Sequence, residues 1–369
     1  MGKKKLAKTA LSAALVGSMI LGNAASVYAW TTSDEVSDRE KASAAISLEA
    51  AGEGMVLLEN NVKEKLIEDA EFRSQQDIDC AFYVVSRISG EGADRQNVKE
   101  RDGDYYLSDI ERQNIEELAH YYGKVVVILN TANVMDTKFV DEINAKYADG
   151  IDAVLLMGQC GMYGGTALAQ ILDGEKNPSG KLVDTWPVDY MDFPSSATLG
   201  ENIVDSRTEY DEYYYDDIYV GYRYFDTFNV DPAYEFGYGL SYTTFDQKIV
   251  GFSADADTVT VGVQVKNTGD TYSGKEVVEV YFSAPDGELE KPYQELAAYG
   301  KTDMLAPGES QIVTVTFNTD EMSSYDETKA AYVLEDGDYI VRAGNSSRNT
   351  HVAGVINLNE DTITEQLSN

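Results

Sequence analysis

A chain of 369 residues is long enough for two or three domains, and a hydrophobic content of 43% belongs to a folded protein, not a disordered one. Its 64 acidic residues against 29 basic ones give a formal net charge of −35 and a sequence pI of about 4.2. A field of that sign repels nucleic acid and anionic membrane surfaces, which excludes both as partners.

Residues 1–29 read as a secretory signal. Lys3, Lys4, Lys5 and Lys8 precede an apolar core at 11–21, and small residues end the segment at Ala29. That core is too short for a comfortable membrane span and no second candidate follows, so the expected mature protein is secreted and has no membrane span. Residues 37–59 have helical periodicity, with Ala42, Ile46, Ala50 and Leu57 able to share a stripe. Ser37 with Glu40 offers a capping box, and the run EGMVLLEN at 53–60 closes the element.

Residues 81–95 read AFYVVSRISGEGADR. The apolar run at 81–85 has strand length, and functional loops of open α/β sheets gather beyond the carboxyl ends of strands. Glu91 would stand there between Gly90 and Gly92, whose missing side chains let the backbone turn and leave the carboxylate clear. Arg87, Asp94 and Arg95 would supply charges that set its pKa and orientation. A solvated glutamate in a glycine-rich turn is the plain alternative.

Residues 108–121 read as a helix with a capping box from Ser108 and Glu111. Strand-like runs follow at 124–129 (KVVVIL) and 151–157 (IDAVLLM), separated by a helix at 140–147 and followed by one at 166–172, with a last short strand at 181–186. That alternation predicts a parallel sheet covered by helices. Asp102, Asp104 and Asp109 have the wrong spacing for an EF-hand and read as a solvated loop.

Residues 188–234 are dense in tyrosine, including Tyr210, Tyr213, Tyr214, Tyr215, Tyr219, Tyr222 and Tyr224. The cluster reads either as packing between two domains or as a sugar-stacking platform. From Phe245 the pattern is all-β: alternating runs at 258–266, 276–283 and 311–317, then 338–343, with 352–358 able to close the sheet.

No metal-ligand cluster is visible, His120 and His351 are isolated, and no Gly-x-Ser-x-Gly elbow occurs, so neither a metal nor another cofactor is expected. Cys80 and Cys160 leave open one disulfide or two buried thiols.

Several segments, in order, resemble the C-terminal half of glycoside hydrolase family 3, the β-glucosidase type. They are EGMVLLEN (53–60), SRISGEGADR (86–95), DGEKNPSGKLVDTWP (173–187), IYVGYRYFDT (218–227), YEFGYGLSYTTF (234–245), KPYQELAAYGKT (291–302) and LAPGES (305–310). MGQCG (157–161) resembles a family segment that often carries a tryptophan where Met157 stands. The resemblance implies an α/β plus all-β architecture: a truncated α/β sandwich with a mostly parallel sheet, then a fibronectin type III-like β-sandwich. The expected division is a signal at 1–29, an α/β sandwich domain at 30–200, a tyrosine-rich connector at 201–245, a fibronectin type III-like domain at 246–358 and a tail at 359–369.

The resemblance further implies hydrolysis of β-linked glucosides by a retaining mechanism, with Glu91 as acid/base. The family's nucleophile is an aspartate on a separate (β/α)8 barrel, and the 369 residues have no eight strand–helix repeats. Nucleophile and most of the sugar pocket are therefore expected from a barrel in cis or in trans, with little turnover by this chain alone. The family's long insert after the segment matching Asn60 is replaced by residues 61–76, so the sheet is expected to lack one or more strands. The alternative from another class is a non-catalytic secreted module that binds carbohydrate or a barrel-bearing partner.

Overall fold

The computed structural model describes residues 36–61, 80–88, 105–147, 150–197 and 214–367. The chain divides into two compact units, Met1–Ile46 and Ser47–Asn369. Helix α1 (Asp38–Gly54) begins with the expected capping box: Ser37 Oγ accepts from the Glu40 amide at 3.2 Å, and Glu40 Oε2 accepts from the Ser37 amide at 2.8 Å.

The first sheet contains β1 (Val56–Asn60), β2 (Cys80–Ser86), β3 (Lys124–Asn130) and β4 (Ala153–Leu156) in the order β1-β4-β3-β2. Strands β2, β3 and β4 run parallel and β1 is antiparallel to β4, so the sheet is mostly parallel. Helices α2 (Asp109–Tyr121), α3 (Lys138–Tyr147) and α4 (Gly164–Leu172) complete this part. Alternate residues of each strand face opposite sides. Val127, Leu129 and Val154 join Ile115, Phe139 and Ile143 of α2 and α3 in one core. Val126, Ile128 and Leu155 join Ala51, Ala167 and Ile171 in another.

Two expectations about α1 are corrected. The helix stops at Gly54, and residues 56–60 form a strand instead of closing it. Ala42, Ile46 and Ala50 are exposed; the helix buries Ala51 and Gly52 in its last turn. A four-residue apolar run, 55–58, fits a buried strand as readily as a helix end, and pairing with β4 decides for the strand. The strand expected at 181–186 reduces to β5 (Trp186–Pro187), which pairs with β6 (Pro232–Tyr234) outside the main sheet.

Three segments quoted above meet beside β1. Leu240 donates to Leu57 O at 2.8 Å, Leu182 to Tyr238 O at 2.8 Å, and Gly180 to Met55 O at 3.2 Å. A Cβ on Gly180 would lie 2.4 Å from Met55 O and one on Gly239 2.3 Å from Gly180 O, so only glycine permits this approach.

The all-β part is a sandwich. One sheet has the order β10-β9-β14-β15, from β9 (Val277–Ser283), β10 (Glu295–Lys301), β14 (Gly337–Gly344) and β15 (Thr350–Leu358). The other is β11-β8-β7, from β7 (Phe245–Ala254), β8 (Thr258–Asn267) and β11 (Ser310–Asn318). Val259, Val261, Val263 and Val265 point inward from β8 against Val278, Val280, Tyr339 and Val341 of the facing sheet. Strand β15 covers the expected 352–358, pairs with β14 and is the last strand of its sheet among the described residues. A small third sheet, β12-β13-β16, comes from β12 (Ser324–Asp326), β13 (Ala331–Leu334) and β16 (Thr362–Gln366), the last within residues read from sequence as a tail.

The tyrosine-rich stretch packs elements together where it is described. Helix α5 (Tyr222–Thr227) lies here. The Tyr222 hydroxyl accepts from the Leu296 amide at 2.8 Å while its ring packs on Phe236 and Tyr281. Tyr234 packs on Trp186, and Tyr238 donates to Leu58 O at 3.0 Å. Tyr214 and Tyr215 are exposed, while Tyr210 and Tyr213 lie outside the described residues. Cys80 and Cys160 form no disulfide; the Cys160 thiol donates to Met157 O and burial raises its pKa.

Candidate active site

Residues 89–104, with Glu91, Asp94, Arg95, Asp102 and Asp104, lie outside the described residues; the stems on either side do not. Strand β2 ends at Ser86, and the Arg87 amide adds one more rung by donating to Asn130 O of β3 at 3.1 Å. The chain re-enters the described structure at Tyr105.

Arg87 joins these stems. Its side chain is buried, with Nη1 donating to Ser86 O at 2.9 Å and to Glu111 Oε1 at 2.7 Å. Nη2 donates to Tyr106 O at 3.2 Å and to Glu111 Oε2 at 2.7 Å. One guanidinium thus holds the residue leaving β2, a carbonyl on the returning stem and the first turn of α2. The planar fork matches a carboxylate held in place, and Glu111 is held: its Oε2 accepts from the Ser108 amide at 2.9 Å, closing the expected capping box. Burial alone would raise the Glu111 pKa, but the bonds from Arg87 and Ser108 outweigh it and the carboxyl titrates below its ordinary range. The Arg87 guanidinium pairs with Glu111.

The returning stem is wedged by aromatics. The buried Tyr105 ring meets Tyr106 edge-on at 4.9 Å and Tyr190 at 5.3 Å, and its carbonyl accepts from the Asp136 amide at 2.9 Å. Burial, reinforced by Asp136, pushes the Tyr105 phenol far up. Lys138 Nζ bonds Asp189 Oδ2 at 2.6 Å beside this cluster. Asp109, weighed above as a loop residue, opens α2 in the solvent.

The carboxyl ends of β3 and β4 also border a cavity of about 440 Å³. Asn133, Leu156, Lys181, Asp184 and Trp186 line one side, and Glu279, Tyr299 and Lys301 of the β-sandwich the other. Trp186 Nε1 donates to Asp184 Oδ1 at 2.9 Å, and burial nevertheless raises the Asp184 pKa. Glu279 is 5% exposed, and burial pushes its carboxyl up to about 7 although Tyr281 donates to Oε2 at 2.6 Å. Glu53 at the end of α1 behaves oppositely. Burial works against its charge, yet Lys275 at 2.6 Å and Lys301 at 2.5 Å hold it at about 2. This two-lysine grip across to the sandwich went unseen in sequence, where nothing local marks it.

Among the described residues no group of histidine, cysteine and acidic side chains is arranged to hold a metal, and no helix is long and apolar enough to cross a membrane.

Residues 5–242 match the glycosyl hydrolase family 3 C-terminal domain, and residues 276–347 match the fibronectin type III-like domain. The chain belongs to glycoside hydrolase family 3. It is 38% identical over 333 residues to beta-glucosidase A of Butyrivibrio fibrisolvens, covering 79% of this chain and 39% of that protein. Against a beta-glucosidase of Ruminococcus albus it is 37% identical over 301 residues, covering 80% and 30%. Beta-glucosidase 3B from Thermotoga neapolitana, solved with α-D-glucose, superposes with a TM-score of 0.77 at 33% identity, covering 89% of this chain and 56% of that one. A beta-glucosidase from Paenibacillus barengoltzii gives 0.71 at 40% identity, with 79% and 32% covered. The chain therefore spans well under two thirds of the length of these family 3 relatives.

Proposed function

We propose that this family 3 chain supplies the acid/base half of a retaining β-glucosidase, with Glu91 as proton donor and a barrel-borne aspartate, in cis or in trans, as nucleophile. Retaining hydrolysis needs two carboxyl groups roughly 5–5.5 Å apart, one donating to the glycosidic oxygen and the other attacking the anomeric carbon. The observation that carries the reading is the Arg87 clamp. It fixes both stems of the Glu91 loop at the carboxyl end of a parallel strand, where a catalytic side chain must be held on a rigid base. Asp94 and Arg95 flank the glutamate on the same loop and tune its charge. Exposed Ile88, Met162 and Val183 lie at this end of the sheet, at 85%, 89% and 84%, and supply an apolar rim for a barrel domain to cover. Export follows from the basic and apolar segments within residues 1–29.

The test is hydrolysis of an aryl β-glucoside by the purified chain, alone and mixed with a family 3 barrel polypeptide. Turnover is expected only in the mixture and should fall about 10²–10⁴-fold in Glu91→Gln. Robust hydrolysis by the chain alone, or a mixture indifferent to Glu91→Gln, overturns the proposal.

A further inference from the structure

The third sheet carries a feature with no part in the site above. Tyr325 of β12 and Tyr332 of β13 are directly opposed across the antiparallel pair, and Tyr332 is opposed in turn by Glu365 of β16. Opposed residues share a face, so the two rings and the carboxylate stand side by side. The ring centroids lie 5.3 Å apart with planes inclined at 52°, and both rings are exposed. The flanking Asp326, Ala331 and Val333 are buried beneath them. Exposed aromatics on a rigid, half-buried sheet offer contact area at little entropic cost, because each ring has few angles to lose.

The pair stands between two hollows. One, of about 300 Å³, is bordered by Tyr325, Ser323 and Ser324; the other, of about 310 Å³, by Tyr332, Ser323, Asn318 and Thr364. Ser323 lines both, so they form one groove running past the tyrosines. Seven carboxylates border it, including Glu327 and Glu365, and among the described residues that line it there is no lysine or arginine. Such a groove rejects an anionic polymer. It presents ring faces together with hydrogen-bond acceptors at the edges, which matches a ligand with apolar C–H faces and a rim of hydroxyl donors.

We propose that this groove is a carbohydrate-binding site for a neutral glucan chain, separate from the Glu91 loop. One sugar ring stacks on the exposed rings of Tyr325 and Tyr332, while its hydroxyls donate to Glu365, Glu327 and the Ser323 and Asn318 side chains. Only the choice of glucan rests on the glycosidase reading. The groove needs neither Glu91 nor a barrel, and binding there holds a polymeric substrate near the enzyme without turning it over.

The experiment is isothermal titration of the full chain with cellohexaose, a neutral β-glucan hexasaccharide, alongside a sulfated glucan and oligolysine. Cellohexaose should bind the wild type and Glu91→Gln equally. Affinity should fall at least 10-fold in Tyr325→Ala and in Tyr332→Ala, and be largely kept in the Phe variants, which retain the rings. Thermal unfolding of each variant verifies that the small sheet remains formed. Absence of cellohexaose binding, equal binding by Tyr325→Ala/Tyr332→Ala, or tyrosine-dependent binding of oligolysine alone overturns the proposal. The acid/base reading is judged separately, by turnover in the presence of a barrel.

Discussion

Glu111→Gln separates the two tasks of that side chain. Glutamine at the third helical position can still complete a capping box, so the start of α2 keeps its geometry. What disappears is the negative charge facing Arg87, whose side chain is only 1% exposed while that of Glu111 is 14% exposed. Removing the negative partner of a buried ion pair costs about 3–5 kcal/mol. Against a typical total of about 5–15 kcal/mol this is a large share of the stability. The double variant Arg87→Met/Glu111→Gln removes both charges and should recover most of the loss, ending within about 1–2 kcal/mol of the wild type. Urea unfolding followed by tryptophan fluorescence reads the result, because Trp186 is buried in the core that contains Ile115 of α2. If Glu111→Gln costs under 1 kcal/mol, or the double variant is as unstable as the single, the guanidinium does not depend on the carboxylate and the clamp argument fails.

Glu279 predicts a pH effect of unusual sign. Burial raises its native carboxyl to about 7 against an ordinary glutamate value of 4.5, so between those values the folded state holds a proton that the unfolded state has lost. Stability should fall by about 3 kcal/mol as pH rises from 4.5 to 7. Glu279→Gln should flatten that slope in melting curves; an unchanged slope refutes the assignment. Glu53, held at about 2 by Lys275 and Lys301, has the opposite sign. Its contribution is complete above pH 4.5 and lost as pH falls toward 2, and Glu53→Gln should cost about 1–2 kcal/mol at neutral pH and less in high salt, checked by urea titration at two ionic strengths. Gly180→Ala should cost several kcal/mol or prevent folding, since its Cβ would meet Met55 O at 2.4 Å; a melting temperature within a few degrees of the wild type would contradict that close approach.

Local pattern carried much of the fold. The valines of β8 alternate in sequence and all face the sandwich core, and the Ser108–Glu111 box is complete as spaced. The change from helix to strand at Gly54 was not legible, because an aliphatic run as short as residues 55–58 satisfies both periodicities and the decision comes from β4, about a hundred residues away. Glu91 could be singled out by its flanking glycines and by family resemblance. The partner of Arg87 could not: Glu111 is 24 residues distant and looks in sequence like a capping residue only. Glu53 finds its lysines 222 and 248 residues downstream, where no sequence window reaches.

The same long-range pairings bear on where acid chemistry can reside. Of the buried carboxylates among the described residues, Glu276 is bound to Lys181, Glu335 to Lys291, Glu279 to the Tyr281 hydroxyl, and Asp326 to Thr328 and Lys329. Asp136 is packed behind Tyr105 on the returning stem. Burial pushes the Glu279 carboxyl up to about 7, yet Tyr281 caps it and its oxygens fill the space left by Gly237, where even a Cβ would approach to 2.3 Å. A proton donor must reach a glycosidic oxygen in an open cleft; Glu279 does line the cavity of about 440 Å³, but its Oε2 is taken by the Tyr281 hydroxyl.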